Sequence, residues 1–247
     1  MKINYLFISL FTLAVGCQPT TQEKVIEKSW QGQPIDFSQI REVVNAYHMF
    51  DSTETKVGSM VFGFSFENGM LVARDTSQFD NGSVYETAVL TFDTSDFQMK
   101  EVSIDMKTPR ATLDIDLRKE DERVIGSYVI KQDTINNPFE IDSAYQFTTF
   151  REEIYVLAHS LNLKSEDTVS FDALVPTSMS VSQAQLMYSG EETIETANGM
   201  VTCDAIWLKA DGKMPDNKIW ISKTSPRTIV KFYVPGPGLN IELVSQR

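Results

Sequence analysis

Polar and apolar residues alternate with a period of two over most of this chain, beginning at residue 57. Phe62, Phe64 and Phe66 alternate with smaller residues, and Asn68-Gly69, a strong hairpin signal, follows them. This period is that of a β-strand with one buried face. The same pattern predicts strands at 57–67, 70–75, 84–92, 97–106, 111–118, 124–131, 168–175, 179–189 and 192–196.

Residues 200–246 predict four further strands in succession, separated by a polar break, a Ser-Pro-Arg turn and a Pro-Gly-Pro-Gly break. Trp207 and Trp220 lie on the first two, and their apolar neighbours indicate that both pack in the core. Successive strands with short turns are typical of an antiparallel meander. The predicted fold is mainly β, a curved antiparallel sheet or half-open barrel or sandwich, with one or two short helices packed on it.

Two segments instead show helical spacing. In residues 38–50 the apolar positions Ile40, Val43 and Tyr47 recur every three or four residues, which predicts a short helix. Residues 146–161 carry the stronger apolar stripe, which consists of Phe147, Phe150, Ile154, Leu157, Ala158 and Leu161. A lone helix among strands most often fills the mouth or concave side of a curved sheet, and a helix that gates a ligand is the alternative.

The chain has 247 residues and a formal net charge of −12, which no Lys/Arg-rich run offsets. An acidic surface of this kind repels nucleic acid and anionic headgroups, so nucleic acid is not an expected partner. No Pro-, Gly- or Ser-rich linker divides the body, so residues 35–247 are predicted to form a single β-rich domain.

The N-terminal residues resemble the signal peptide of a bacterial lipoprotein, which predicts 1–16 as the cleaved segment. Lys2 precedes an apolar run at 3–15 that is too short to span a membrane. Residues 13–17, Leu-Ala-Val-Gly-Cys, are similar to a lipobox, in which the Cys becomes the first mature residue and carries diacylglyceryl and acyl chains. The resemblance implies lipidation at Cys17, palmitate included, and anchoring by several chains. An ordinary cleaved signal with a chance Cys is the alternative.

Residues 17–34 are polar and have no apolar period, which predicts a flexible tether between the lipid and the folded body. Gln18 rather than Asp follows Cys17. By resemblance to the lipoprotein sorting rule, this implies the outer membrane of a Gram-negative cell envelope, with the periplasmic or outer face left open. The membrane, reached through the lipid anchor, is therefore one expected partner.

Few residues suit catalysis. His48 and His159 are the only histidines, and both fall on predicted helices far apart in sequence, which disfavours a zinc site or a Ser-His-Asp triad. Cys203 alternates with Val201 and Ala205, which indicates a buried thiol. The common hydrolase, phosphate-loop and dinucleotide motifs are missing. We expect no cofactor, no metal and no catalytic residue, and a hydrolase with a scattered carboxylate pair is the alternative.

Asp114 and Asp116 form the one local carboxylate pair that suggests a site. Two carboxylates on one strand face could bind Ca²⁺ or act as acid and base. The other face of the strand is Leu113, Ile115 and Leu117, so its outer face has to be polar. A solvated face is the simpler interpretation.

A possible modification signal occurs four times, as Asp followed by Ser or Thr and then by an aliphatic residue or Thr. The hydroxyls concerned are Ser52, Thr134, Ser143 and Thr168. The triplet resembles the O-glycosylation consensus of some exported Gram-negative proteins, which would place these residues on accessible loops. Ordinary turn chemistry of Asp-Ser and Asp-Thr is the alternative.

The C-terminal half, from about residue 171 to 244, resembles an exported bacterial family known as domain-of-unknown-function family 3108. The features that carry the resemblance are a helix at 155–163, Gly190-Glu191-Glu192, the strand 203–208 (Cys-Asp-Ala-Ile-Trp-Leu), residues 220–223 (Trp-Ile-Ser-Lys) and Ser225-Pro226-Arg227. It implies a curved antiparallel sheet with some likeness to the half-barrels of outer-membrane lipoprotein carriers. It implies no catalytic residues.

These observations leave two main classes of function open. The first is a non-enzymatic envelope lipoprotein whose sheet holds a hydrophobic ligand or binds an envelope partner, and a cavity lined by aromatic residues would favour it. The second is an assembly factor that binds envelope protein through a sheet edge, and a filled interior with a flat exposed edge would favour it. A solvent-open carboxylate pair with a raised pKa would favour the hydrolase instead.

Overall fold

A computed structural model describes residues 29–30, 33–94, 97–121, 123–132, 135–143, 149–150, 153–175, 180–197, 199–212 and 214–247. Strands β1 (Ser29–Trp30) and β2 (Gln33–Pro34) pair as a small antiparallel ribbon, which lies in the range predicted as a tether. A 3-10 turn, Phe37–Gln39, then leads into the main sheet.

The main sheet contains fifteen strands. Its first half consists of β3 (Val43–Phe50), β4 (Lys56–Glu67), β5 (Met70–Phe79), β6 (Tyr85–Asp93), β7 (Met99–Lys107), β8 (Thr112–Glu120), β9 (Arg123–Gln132) and β10 (Ile135–Ser143). Its second half consists of β11 (Thr149–Phe150), β12 (Thr168–Val175), β13 (Ser180–Thr196), β14 (Gly199–Ala210), β15 (Asn217–Ser222), β16 (Ile229–Val234) and β17 (Leu239–Gln246). Helix α1 (Glu153–Ser160) lies between β11 and β12.

The chain enters this sheet at its middle. Each strand from β3 pairs with the next as far as β10, which forms one edge. The chain then passes to the other edge, β11, and returns strand by strand to β17, which pairs with β3. Neighbours are antiparallel except for β11 and β12. The mainly β fold, a curved antiparallel sheet with a short helix packed on it, is confirmed.

Helix α1 occupies the inner face of the sheet. Its residues are buried except for Tyr155, which is partly buried. The ring of Tyr155 lies 4.8 Å from that of Phe232 on β16 and 6.0 Å from that of Phe62 on β4. The helix therefore packs across the seam between β3 and β17, where the two halves of the sheet meet. This arrangement agrees with the predicted role of filling the concave side.

The helix predicted over residues 38–50 is wrong. Only Phe37–Gln39 form a helical turn, and Val43–Phe50 form strand β3, in which Asn45, Tyr47 and Met49 are buried at a period of two. The apolar residues of this segment fit both periods. Pairing with β4 on one side and β17 on the other decides in favour of the strand, because it satisfies the backbone along its whole length.

Three other elements differ from their predicted bounds. Helix α1 begins at Glu153 rather than near residue 146, because Thr149–Phe150 pair with β12 as β11. Strand β13 is continuous, and a bulge between Tyr188 and Gly190 shifts the alternation that predicted two strands there. Strand β10 was not predicted, because Pro138 and its polar neighbours interrupt the apolar pattern.

A second, smaller hydrophobic cluster lies on the outer face of the sheet. It consists of Cys203, Ala205, Trp220 and Val230, with Ile194, Val201, Tyr233 and Leu243 packed against it. Trp220 is buried here, and its Nε1 donates to Glu192 Oε2 at 2.7 Å. Trp207 is half-buried, with Lys209 Nζ 4.0 Å above its ring. The core packing predicted for Trp220 is confirmed, in this second cluster, whereas Trp207 is only half-buried.

Candidate functional site

The most distinctive feature of the interior is an aromatic cluster beneath helix α1. Phe62 and Phe64 meet edge to face at 5.0 Å, and Tyr47 meets Phe232 at 5.6 Å. Tyr155 of the helix joins these two pairs, and His159 lies 4.8 Å from the Phe64 ring. Strands β3, β4 and β16 supply the remaining rings, because alternate residues of each strand point toward the helix.

Two polar side chains are buried in this apolar setting. Asn45 is fully buried on β3, directly opposite Phe62, with its side chain near the Tyr47 hydroxyl. Neither its Oδ1 nor its Nδ2 has a partner at hydrogen-bond distance and angle among the residues described. His159 is 1% exposed, and its Nε2 likewise has no partner in the described ranges. Buried polar atoms nearly always have a partner, so such groups require a specific explanation.

The tautomer of His159 follows from its other nitrogen. Nδ1 lies 2.7 Å from the backbone oxygen of Tyr155. Because a carbonyl oxygen only accepts hydrogen bonds, Nδ1 carries the proton and Nε2 is left as an acceptor. Burial lowers the pKa of His159 to about 4, so the imidazole is neutral at neutral pH. Burial also raises the pKa of Tyr47, whose hydroxyl donates to the oxygen of Ile229 at 3.0 Å.

A groove of about 310 Å³ opens beside this cluster. It is lined by Gln39, Arg41, Glu42, Val43, Phe64, Pro226, Arg227, Thr228, Gln246 and Arg247. Phe64 belongs both to the groove and to the aromatic cluster, so the groove lies next to the ring that contacts His159. We call this feature the Phe64 groove. Its wall combines three apolar residues, Val43, Phe64 and Pro226, with seven polar or charged ones.

Arg227 connects the Phe64 groove with helix α1. Its Nη1 donates to the oxygen of Leu161, one residue past the helix, at 2.5 Å. Its Nη2 donates to Asp204 Oδ2 at 2.7 Å. Asp204 and Arg227 both come from the segments that carry the resemblance to family 3108, and the fold brings them into contact. Those segments therefore hold the end of the helix in place.

The residues predicted for modification are scattered. Ser52 lies in an exposed turn, where Asp51 Oδ1 accepts a hydrogen bond from the Thr53 amide at 2.8 Å. Thr168 is exposed at the first position of β12, and Ser143 is the last residue of β10. Cys17 and Thr134 lie outside the described residues. None of these predictions is tested by the structure.

The other candidate groups lie apart from the Phe64 groove. Asp114 forms an ion pair with Lys131 at 2.5 Å on the outer face, where Asp116 is also exposed. The Cys203 thiol is buried in the outer cluster, and burial raises its pKa to about 11. His48 is half-buried on β3. Among the described residues no group of three or more His, Cys, Asp or Glu could hold a metal ion.

Sequence reasoning missed Asn45, Arg227 and the groove. Asn45 fell inside a segment predicted as a helix, so its direction could not be assigned. An asparagine flanked at i−2 and i+2 by Val43 and Tyr47 was the available signal, once the strand period is recognised. Arg227 offered no such signal, because its partners Asp204 and Leu161 are distant in sequence.

Two wider depressions of about 490 and 640 Å³ lie over β6 to β9 and over β12 to β14. Neither is lined by Asn45 or His159, which hold the only buried side-chain polar atoms without partners in the described part of the chain. The Phe64 groove is therefore the better candidate. Among the helices that the structure describes, none has the length and apolar character needed to cross a bilayer.

No family model and no curated protein matches the sequence. Several solved structures do match this chain. A β-barrel-like protein of the domain of unknown function DUF1849 from Brucella abortus has a TM-score of 0.51 at 10% identity, over 83% of this chain and 96% of that one. A Bacteroides fragilis protein named as exported, with a YmcC-like fold, has a TM-score of 0.37 at 8% identity, over 84% and 97% of the two chains.

A Parabacteroides distasonis protein named as a lipoprotein has a TM-score of 0.33 at 10% identity, over 86% of this chain and 98% of that one. At these identities the similarity extends to the fold of the Brucella protein and no further. The resemblance to family 3108 stays a prediction, and this chain shares its β-barrel-like architecture with a protein whose own function is unknown.

Proposed function

We propose that this protein is a non-enzymatic lipoprotein of the Gram-negative cell envelope, held at the outer membrane through Cys17, whose folded body binds a small hydrophobic ligand in the Phe64 groove. The observation that carries the ligand site is the pair of buried polar side chains without partners, Asn45 and His159, within an aromatic cluster that borders the groove. The signal-like N-terminus supports the location.

The free-energy cost of burying the Asn45 amide favours a role for this residue in ligand binding. Leaving a buried polar group without a partner costs about 1 to 3 kcal/mol, a cost that an apolar side chain of the same size would avoid. A ligand with a hydrogen-bonding group would recover this cost on binding. His159 Nε2 would accept a hydrogen bond, and the Asn45 amide could both donate and accept.

The interior of the sheet is otherwise filled. Helix α1 and the aromatic cluster occupy the inner face, and the groove reaches them only at Phe64. The ligand therefore enters at the end of the sheet, and it reaches Asn45 only if the Phe64 ring or helix α1 moves. If helix α1 moves in this way, it acts as the ligand-gating helix that is the alternative to a purely filling role.

The second candidate function, assembly through a sheet edge, has less support. Edge strand β10 contains Pro138, which lacks an amide donor, and the other edge strand, β11, has only two residues. Prolines and very short strands are the usual means by which sheet edges avoid pairing with other chains. The hydrolase hypothesis gains no positive support either, because the carboxylates whose pKa is clearly shifted have lowered values, namely Asp36, Asp51, Glu67, Glu192 and Asp216.

Native mass spectrometry of the full-length protein purified from envelopes tests the proposal. We expect a mass increase for the acyl chains at Cys17 and a second, non-covalent increase that disappears on denaturation. The Cys17→Ser variant should lose the first increase, leave the membrane fraction and retain the ligand. A native protein that carries no lipid would refute the anchor. A folded body that takes up no apolar ligand, even when one is added, would refute the ligand site.

A further inference from the structure

Three arginines line the mouth of the Phe64 groove on an otherwise acidic protein. Arg41 and Arg247 line the groove, and neither forms an ion pair with any residue that the structure describes. Arg227 also lines it, but Asp204 already balances its charge. Glu42 is the single acidic side chain in the lining.

The contrast with the rest of the surface is large. The whole chain has a formal net charge of −12, with 34 acidic and 22 basic side chains. Arg41 and Arg247 place two guanidinium groups against the single glutamate side chain of the groove, beside the aromatic cluster. Arginine guanidinium groups bind carboxylate and phosphate oxygens through paired hydrogen bonds.

We propose that the ligand of the Phe64 groove is an anionic amphiphile, whose carboxylate or phosphate head binds to Arg41 and Arg247 and whose apolar tail packs against Phe64. The inference rests on the proposed function and specifies its ligand class. The groove volume of about 310 Å³ lies at the small end of ligand sites, which favours one short or medium chain.

The arginines and the Phe64 side chain together determine which molecules the groove binds. The acidic surface repels anions in general, so an anion without a tail gains little from two exposed arginines in water. A neutral apolar molecule gains the contact with Phe64 but no charge-assisted hydrogen bond. Only a molecule with both features uses the whole groove.

Isothermal titration of the full chain with matched probes tests this inference. Decanoic acid supplies head and tail, decan-1-ol supplies the tail alone, and inorganic phosphate supplies an anion alone. We expect decanoate to bind about tenfold or more tightly than decanol, because it adds charge-assisted hydrogen bonds, and phosphate to show no measurable binding.

Charge-removing variants locate the head. Arg41→Gln and Arg247→Gln should each weaken decanoate binding about threefold to tenfold and leave decanol unchanged, as expected for partly solvated charge pairs. Arg110→Gln is the control, because Arg110 makes the same charge change in an exposed turn remote from the groove. Unchanged circular dichroism and melting temperature would show that all three variants fold.

The outcomes separate the two proposals. If decanoate and decanol bind equally and both arginine variants behave as Arg110→Gln does, the anionic head is refuted while the ligand site stands. If phosphate binds as tightly as decanoate in an arginine-dependent way, the tail is refuted. If no probe with a tail binds, the proposed function itself fails.

Discussion

Arg227 and Asp204 form an ion pair in which Nη2 lies 2.7 Å from Oδ2, with only 9% and 13% of the two side chains exposed. Asp204 lies on β14 and Arg227 lies just before β16, and the same guanidinium reaches the end of helix α1 at Leu161. One side chain thus joins the second half of the sheet to the helix that fills it.

Breaking this pair should be costly. Removing Arg227 leaves the buried Asp204 carboxylate with only the more distant Lys223 Nζ at 3.9 Å and the Tyr188 hydroxyl at 3.4 Å. Arg227→Met should therefore lower the free energy of unfolding by about 3 kcal/mol, the lower end of the cost of breaking a buried ion pair. Urea denaturation followed by circular dichroism measures the loss. The exposed pair Arg118–Glu120 provides the control, and Arg118→Met should change stability by less than about 0.5 kcal/mol. The double variant Arg227→Met, Asp204→Leu should recover much of the loss, and a fully additive double variant would contradict the coupling.

Replacing Asn45 should stabilise the protein and impair binding. Leu has the same number and branching of heavy side-chain atoms as Asn and no polar atoms to satisfy, so Asn45→Leu should raise the free energy of unfolding by about 1 to 3 kcal/mol. The same variant should weaken binding of an apolar ligand that carries a hydroxyl group within reach of the amide, a trade-off common at binding sites. Urea denaturation and ligand titration measure the two effects. A destabilised Asn45→Leu would mean that the amide contributes favourably to the folded state.

His159 should make stability depend on pH between about 6.5 and 4. The unfolded state takes up a proton on His159 below about 6.5, whereas the folded state resists it until its pKa of about 4. The unfolded state therefore binds more protons in this window, and stability falls as the pH falls, by up to about 3 kcal/mol from this residue.

The measurement is urea denaturation at a series of pH values. His159→Phe should reduce the loss of stability across the window, because it removes the titrating group while filling the space next to Phe64. His48→Gln is the matched control, since His48 is half-buried on the opposite face of β3 and its loss should leave most of the slope in place. Equal slopes in wild type and His159→Phe would disprove the assignment.

The four Asp-Ser and Asp-Thr triplets make a separate prediction. If they are glycosylation sites, intact mass of protein secreted by its native host should show discrete sugar increments, and Ser52→Ala should remove one of them. Ser52 is the best single test because it lies in an exposed turn. The Asp51 carboxylate already accepts hydrogen bonds from the side chain and amide of Thr53, as in an ordinary Asx turn. A mass that equals the lipidated polypeptide would leave turn formation as the role of the triplet.

The amino-acid sequence by itself determined the fold class and most of the strands. Alternation of apolar and polar residues sets which face of a strand is buried, and this is a local property, so β4, β8 and β12 were predicted nearly to the residue. The same pattern failed where a local signal was ambiguous. Val43 to Phe50 fits a helix and a strand equally well, and only pairing with β4 and β17 makes it a strand.

Tertiary structure alone decided the candidate site. Asn45 and Phe62 become neighbours through strand register, His159 approaches Phe64 when the helix packs on the sheet, and Arg227 meets Asp204 across 23 positions of the chain. These contacts depend on how distant segments pack, whereas hydrophobic periodicity records only whether a residue faces inward. The sequence could therefore indicate a filled, curved β-sheet, but a buried amide without partners beside an arginine-lined groove emerges only when the sheet is assembled around its helix.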